Sequence, residues 1–230
     1  MDFLIQGLTG AFRLLVGLDP ELLRIVGVSL RVSLTALLFA ALAGVPLGMI
    51  LALGSFPGKR AAVAVVNTLM GLPTVVVGLL GYSFLSRRGL LGPWRLLYTP
   101  YAMMIGQFVL ALPIVAALSM AAVSGVSRRA SRAALALGAT PLQKNRMILG
   151  EARFAVLAAV IAGFGRIFAE IGVSTMLGGN IQGYTRNIPT AIAFETGKGE
   201  FALGLALGLV LLAVALGINL VLQLWQGRVE

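Results

Sequence analysis

The sequence predicts an all-α, polytopic membrane protein of about five transmembrane helices. Three observations carry that prediction. Of 230 residues, 59% are hydrophobic and only 11% are charged. The mean hydropathy is +0.97, whereas a soluble domain of this size needs far more polar surface. Several apolar runs also exceed the roughly 20 residues that a helix needs to cross the hydrocarbon core.

The elements follow in order. Residues 1–23 read as a mixed interfacial segment ending in the turn signal Asp19-Pro20-Glu21. The first 20 residues lack a basic n-region and a long apolar core, so no cleavable signal peptide is expected. One membrane domain, 24–230, accounts for the rest, with spans at about 25–54, 61–85, 100–123, 154–176 and 201–225. Pro46, Pro73 and Pro113 fall inside three of them. A proline within a membrane helix frees a carbonyl and bends the axis. Gly44-Val45-Pro46-Leu47-Gly48 and Gly204-Leu205-Ala206-Leu207-Gly208 have the small-xxx-small spacing that lets helix backbones approach. Such spacing suits ordinary packing, or a pore whose bent helices move.

Charge sets the partners and the orientation. Eighteen Lys and Arg against eight Asp and Glu give a net +10. These charges sit at span edges and in short loops, so topology and anionic headgroups explain them and no nucleic-acid partner is expected. An odd number of spans puts the termini on opposite sides. With the C-terminus inside, the cytoplasmic face holds nine basic residues (Lys59, Arg60, Arg128, Arg129, Arg132, Lys144, Arg146, Arg153 and Arg228) against seven outside. The positive-inside rule therefore favours an outer N-terminus and a cytoplasmic C-terminus. The chain has no Cys and no His. That excludes disulfides, thiol nucleophiles, imidazole acid–base chemistry and Cys/His metal sites, and neither a catalytic nor a metal site is expected.

The loop 124–153 is the most telling segment. It carries six basic residues and one acid, Glu151. Within it, Arg132-Ala133-Ala134-Leu135-Ala136-Leu137-Gly138-Ala139-Thr140-Pro141 reads as two short helices around a sharp turn. Gly138 tolerates the left-handed conformation that ends a helix. Thr140, Pro141 and Gln143 form a capping box with proline at the first helical position. A capped, small-residue hairpin between spans on the basic side suits docking to another protein.

These residues resemble the EAA loop of ABC importer permeases. Arg132 stands where the family usually has the first Glu, and Ala133, Ala134 and Gly138 follow the pattern. Five spans with the loop after the third are similar to the compact methionine-importer type. Further on come Gly165-Arg166-Ile167-Phe168-Ala169-Glu170-Ile171-Gly172 and Gly178-Gly179-Asn180-Ile181-Gln182-Gly183-Tyr184-Thr185-Arg186. They resemble the permease subunits of tungstate ABC importers, with molybdate permeases close and sulfate permeases behind them. The resemblance implies an inner-membrane pore formed with a second copy of the chain. It also implies two cytoplasmic ATPase subunits, each gripping one loop, and an extracytoplasmic oxyanion-binding protein. No GxxxxGK[ST] loop is present. ATP and Mg²⁺ are therefore expected in the ATPase subunit, with no cofactor on this chain and no enzyme activity of its own. A self-contained secondary transporter or channel would show inverted repeats, and none is evident. An integral membrane enzyme is left little catalytic material.

The candidate coupling residues are Arg132, Ala133, Ala134, Gly138, Ala139, Thr140 and Pro141. The candidate substrate-path residues are Arg166, Glu170, Gly179, Asn180, Thr185 and Arg186. Arg166 and Glu170 lie four apart, on one helix face. They form either a structural ion pair or a tempered positive site that an oxyanion passes. Residues 178–186 supply backbone and side-chain donors for an anion nest, or a tight turn, or a binding-protein contact. Arg87, Arg88 and Arg95 make one outer loop basic and suit either long-range attraction of anions or headgroup anchoring.

Overall fold

The computed structural model describes residues 19–126 and 133–226, together with Thr9, Phe12, Val16 and Gly17. Most of the interfacial segment expected at 1–23 lies outside the described residues, as does Arg132.

Helix α1 is Pro20–Leu53. It starts ahead of the predicted 25 because Asp19 caps it. Its Oδ1 accepts from the N–H of Glu21 at 2.8 Å and of Leu22 at 3.1 Å, and Pro20 and Glu21 are favoured in a first turn. At the other end, Lys59 Nζ donates to the carbonyls of Ala52 and Gly54 at 3.1 and 2.8 Å.

The span predicted at 61–85 is not one helix. It is α2, Lys59–Leu69, and α3, Thr74–Leu85. Pro73 has no N–H and disfavours helical backbone at Leu72. The break closes with tight turns, Gly71 N–H to Thr68 O at 3.1 Å and Leu72 N–H to Leu69 O at 3.2 Å. A short 3₁₀ turn, Gly92–Trp94, leads to α4, Pro100–Ser124, close to its predicted bounds.

The next helix also corrects the prediction. Helix α5, Pro141–Phe168, joins the second arm of the hairpin to the span without interruption. No proline lies between Leu142 and Phe154, so the hairpin arm is the first turns of the span. The span predicted at 154–176 instead ends at Phe168, and α6, Gly172–Gly178, follows a break. Helix α7, Ile188–Lys198, and α8, Phe201–Gln226, complete the order. Among the described residues, α1, α4 and α5 are long and apolar enough to cross a bilayer, and α2 with α3 makes a fourth as a broken pair. In α8 the apolar stretch is Phe201–Gly217.

The chain forms two compact units, residues 1–36, 73–108 and 165–230, and residues 37–72 and 109–164. In the second unit, α1 meets α4 through its glycine pair. A methyl at Gly48 would stand 2.5 Å from Ala116 O and 2.9 Å from Met120 N. At Gly44 it would meet Val115 at 3.1 Å. Val123, Ile148, Ala152 and Val156 form an adjoining core with Val45, Met49 and Leu149. The second glycine pair behaves differently. Gly204 approaches Thr196, while a methyl at Gly208 would meet no atom within 4 Å. In the first unit, α6 is packed by small residues. A methyl at Gly78 would meet Met176, at Gly106 Val173, and at Gly178 Met103.

Gly48→Ala drives its new carbon into backbone that cannot move aside. It is expected to cost about 1–3 kcal/mol and lower the melting temperature in detergent more than Gly44→Ala does. A Gly48→Ala protein that melts with the wild type contradicts this packing.

Candidate functional site

The hairpin is built as the sequence suggests. Ala133–Ala136 are helical. Ala139 N–H donates to Ala134 O and Gly138 N–H to Leu135 O, each at 3.0 Å, with Gly138 at φ 81°. That pair of bonds around a left-handed residue is the Schellman closure. Two residues later Gln143 Oε1 accepts from Thr140 N–H at 2.8 Å, and Gln143 N–H donates to Thr140 Oγ1 at 3.3 Å. One helix is thus closed and the next opened across three residues, and φ freedom is needed only at Gly138. Ala134 is buried, Ala133, Thr140 and Pro141 are exposed, and Ala139 is half-buried. Leu137 and Leu142 project at 89% and 78% exposure. An apolar pair so presented on a rigid polar loop fits a protein groove.

The break after α5 is organised by Glu170. Arg166 Nη1 donates to Glu170 Oε2 at 2.8 Å. Glu170 Oε1 accepts from Val173 N–H at 3.2 Å, so the same carboxylate caps the first turn of α6. Glu170 is buried, and the Arg166 side chain remains 40% exposed. A buried carboxylate is thereby held by one cation and one helix N-terminus, while its cation still faces outward.

The segment after α6 is tightly self-bonded. Gly179 sits at φ 71° and donates to Thr175 O, and a methyl there would meet the Tyr98 ring at 2.8 Å. Asn180 is also left-handed, at φ 51°, and its Oδ1 is buried with no partner among the described residues. Thr185 is fully buried. Its hydroxyl donates to Gly178 O at 2.5 Å and accepts from Ile181 N–H at 3.0 Å. Tyr184, Thr185 and Arg186 N–H all donate to Ile181 O. Of the donors expected to form an anion nest, the Thr185 hydroxyl and the N–H of Tyr184, Thr185 and Arg186 are occupied within the turn, and Gln182 Nε2 donates to Glu21 Oε1 at 2.7 Å. Arg186 lies inside a carboxylate pair, 3.2 Å from Glu195 and 3.3 Å from Glu21, and over the Phe194 ring. Lys198 adds a second contact to Glu195 at 3.2 Å. The structure brings Arg166 to Glu170, and Gly179, Thr185 and Arg186 into one turn.

Sequence reasoning missed a buried polar node beside that turn. Asn187 caps α7 in a reciprocal box with Thr190. Asn187 Nδ2 and Gln107 Nε2 both donate to Ser174 Oγ, at 3.0 and 3.4 Å. Ile188 N–H donates to Ser29 Oγ at 2.7 Å. Four helices, α1, α4, α6 and α7, are tied together by side chains that are each almost wholly buried. The available signal was Asn187-Ile188-Pro189-Thr190, a cap followed by proline in the first turn.

The family described as binding-protein-dependent transport system inner membrane component matches residues 44–230. The chain belongs to that family. It is 40% identical over 203 residues to a probable anion ABC transporter permease protein of Haloferax volcanii, covering 86% of this chain and 88% of that one. It is 38% identical to a tungstate uptake system permease protein of Peptoclostridium acidaminophilum, covering 98% and 99%. The molybdenum transport system permease protein of Escherichia coli is 29% identical, covering 92% and 96%. In fold it is similar to a chain of the inward-facing MetNI methionine ABC transporter, with a TM-score of 0.75 at 20% identity over 93% of this chain and 98% of that one. This permease is thus a membrane component of a transport system that works with a binding protein.

Arg186→Leu removes the buried cation between Glu195 and Glu21 and leaves Glu195 to Lys198 alone. It is expected to destabilise the permease by about 1–3 kcal/mol, less than the loss of an isolated buried pair would cost. Arg186→Leu with Glu195→Leu is expected to recover part of that loss in thermal unfolding. A double variant less stable than the sum of the two singles contradicts the pairing.

Proposed function

We propose that this permease is the pore-forming subunit of an ATP-driven importer of tetrahedral oxyanions, with tungstate as its substrate. The observation that carries the substrate is the end-to-end likeness to a tungstate uptake permease, against a weaker likeness to a molybdenum permease. The capped hairpin supports the coupling role. Two copies of the chain enclose the pathway. Two ATPase subunits, which bind ATP and Mg²⁺, each receive one hairpin, and an outer binding protein delivers the anion. The hairpin then faces the cytoplasm, the C-terminus lies on that side and the N-terminus lies outside.

In this reading each residue has a physical task. Leu137 and Leu142 fill an apolar groove on the ATPase, and Ala133 and Ala134 keep the approach close. The Schellman closure and capping box stop the hairpin from bending under load. Arg166, partly exposed and half-neutralised by Glu170, offers a passing dianion attraction without a trap, since a fully unpaired cation in low dielectric would hold it. Arg132, where the family usually has the first Glu, removes one acidic contact from the docking.

Uptake of labelled tungstate, in cells lacking the chain and in cells with it restored, tests the substrate. Restored uptake that resists excess molybdate is the expected result. Uptake abolished by equal molybdate makes the permease a general metal-oxyanion importer, and no restored uptake with the assembled complex in the membrane removes the substrate assignment. Coupling has its own test. Gly138→Val places a β-branched residue in left-handed backbone, at a cost of about 1–2 kcal/mol or more, and is expected to cut uptake at least tenfold at equal membrane level. Gly138→Asn, which tolerates that backbone, is expected to retain most of it. Equal uptake by Gly138→Val and wild type contradicts the rigid-hairpin role.

A further inference from the structure

The loop that joins α3 to α4 closes over a cleft of about 1010 Å³. Arg87, Arg88 and Arg95 line it with Ser86, Tyr82 and Tyr98, and no carboxylate does. None of the three arginines makes an ion pair among the described residues. The loop is well built. Leu91 N–H donates to Phe84 O at 2.9 Å, and Tyr98 N–H donates to Leu177 O at 2.8 Å. Arg95 and Tyr98 are held at φ 50° and 62°, a region costly for residues with side chains. The Tyr82 and Tyr98 rings meet edge to face at 6.4 Å.

A second groove of about 580 Å³ adjoins the first and shares both tyrosines. Its walls are apolar, with Leu79, Met176 and Ile181 among them. A basic cleft thus continues past two tyrosines into an apolar groove. On the same loop Leu90 and Trp94 stand 82% and 69% exposed. Exposed tryptophan beside arginine is the composition of a membrane–water boundary.

We propose that loop 86–99 and this groove hold one anionic phospholipid. Its phosphodiester lies against Arg87, Arg88 and Arg95, whose forked donors suit phosphate oxygens. An acyl chain follows Leu79 and Met176, and Leu90 and Trp94 seat the loop at the interface. Size and shape favour a lipid over a free oxyanion. A bare tetrahedral dianion is held by donors converging in a small niche, whereas this cleft is wide and has Leu85, Leu97 and Pro93 in its lining. An acidic protein surface would leave the apolar groove unfilled. Helix α4 starts from this loop at Pro100, so the lipid belongs to the leaflet at the N-terminal end of that helix.

The test is native mass spectrometry of the permease purified with its partner subunits, scoring retained phosphatidylglycerol, with melting in phosphatidylglycerol and phosphatidylcholine nanodiscs alongside. The wild type is expected to retain phosphatidylglycerol, and to melt higher in it. Arg87→Gln with Arg95→Gln is expected to weaken retention on the order of thirtyfold, since each arginine near an anionic surface contributes roughly fivefold. The paired lysine variant is expected to lose less. Unchanged retention in the glutamine variant overturns the proposal. If that variant does not assemble, the wild-type comparison decides, and equal melting in both lipids overturns it. Displacement of phosphatidylglycerol by sodium tungstate at matched concentration overturns it too, and gives the cleft to the free oxyanion.

Discussion

A helix that ends away from water leaves up to four donors or acceptors that hydrocarbon cannot take. Between Phe168 and Phe201 this permease ends and restarts its helix three times, and each end has an answer in a nearby side chain or turn. Glu170 caps α6, Thr185 takes the Gly178 carbonyl, and Asn187 with Thr190 caps α7. Ser29, from a helix far earlier in the chain, accepts the N–H of Ile188. At the close of α7, Glu200 N–H reaches Glu195 O at 2.9 Å. The charges follow from this order. Arg186 meets Glu195 because the turn fixes the one and α7, which starts two residues later, fixes the other.

That arrangement separates two kinds of rigidity. The segment after α5 is stiffened by buried polar bonds, which are costly to open where no water replaces them. The hairpin is stiffened by local closure in the open, through Gly138 on one side and Thr140 on the other. The hairpin is continuous with α5, whose helix runs unbroken from Pro141 to Phe168. The helix first breaks at residues 169–171. Arg166 sits one turn before it and Glu170 within it.

Much of this was legible in the sequence. The α-helical class came from hydropathy alone, and the hairpin came from Gly138, Thr140, Pro141 and Gln143, whose preferences are local and need no partner. Gly44 and Gly48 announced a close helix contact. Gly204 and Gly208 have the same spacing, yet only the first makes a close approach, because spacing does not say what lies opposite. Pro73 announced a bend but not a full break, and the break at Ala169 was hidden, for a related reason. Apolar composition continues through them, so periodicity reads one span where the backbone makes two pieces. Of the Ser29, Gln107, Ser174 and Asn187 node, only the Asn187 cap has a local sequence signal. Its members are spread over four helices, and only packing reveals that isolated polar residues in apolar runs answer one another.

Coupling stands or falls on whether the hairpin is the face held by a separate ATPase. The chain has no cysteine, so one introduced at Leu137 is a clean reporter, with Leu38→Cys as the control on an apolar span. If the ATPase grips the hairpin, Leu137→Cys cross-links to that subunit in membranes and is shielded from water-soluble thiol reagents when the subunit is present, while Leu38→Cys gives no such cross-link. A Leu137→Cys permease that labels equally with and without the ATPase, and forms no cross-link to it, would show that the hairpin is not the coupling face.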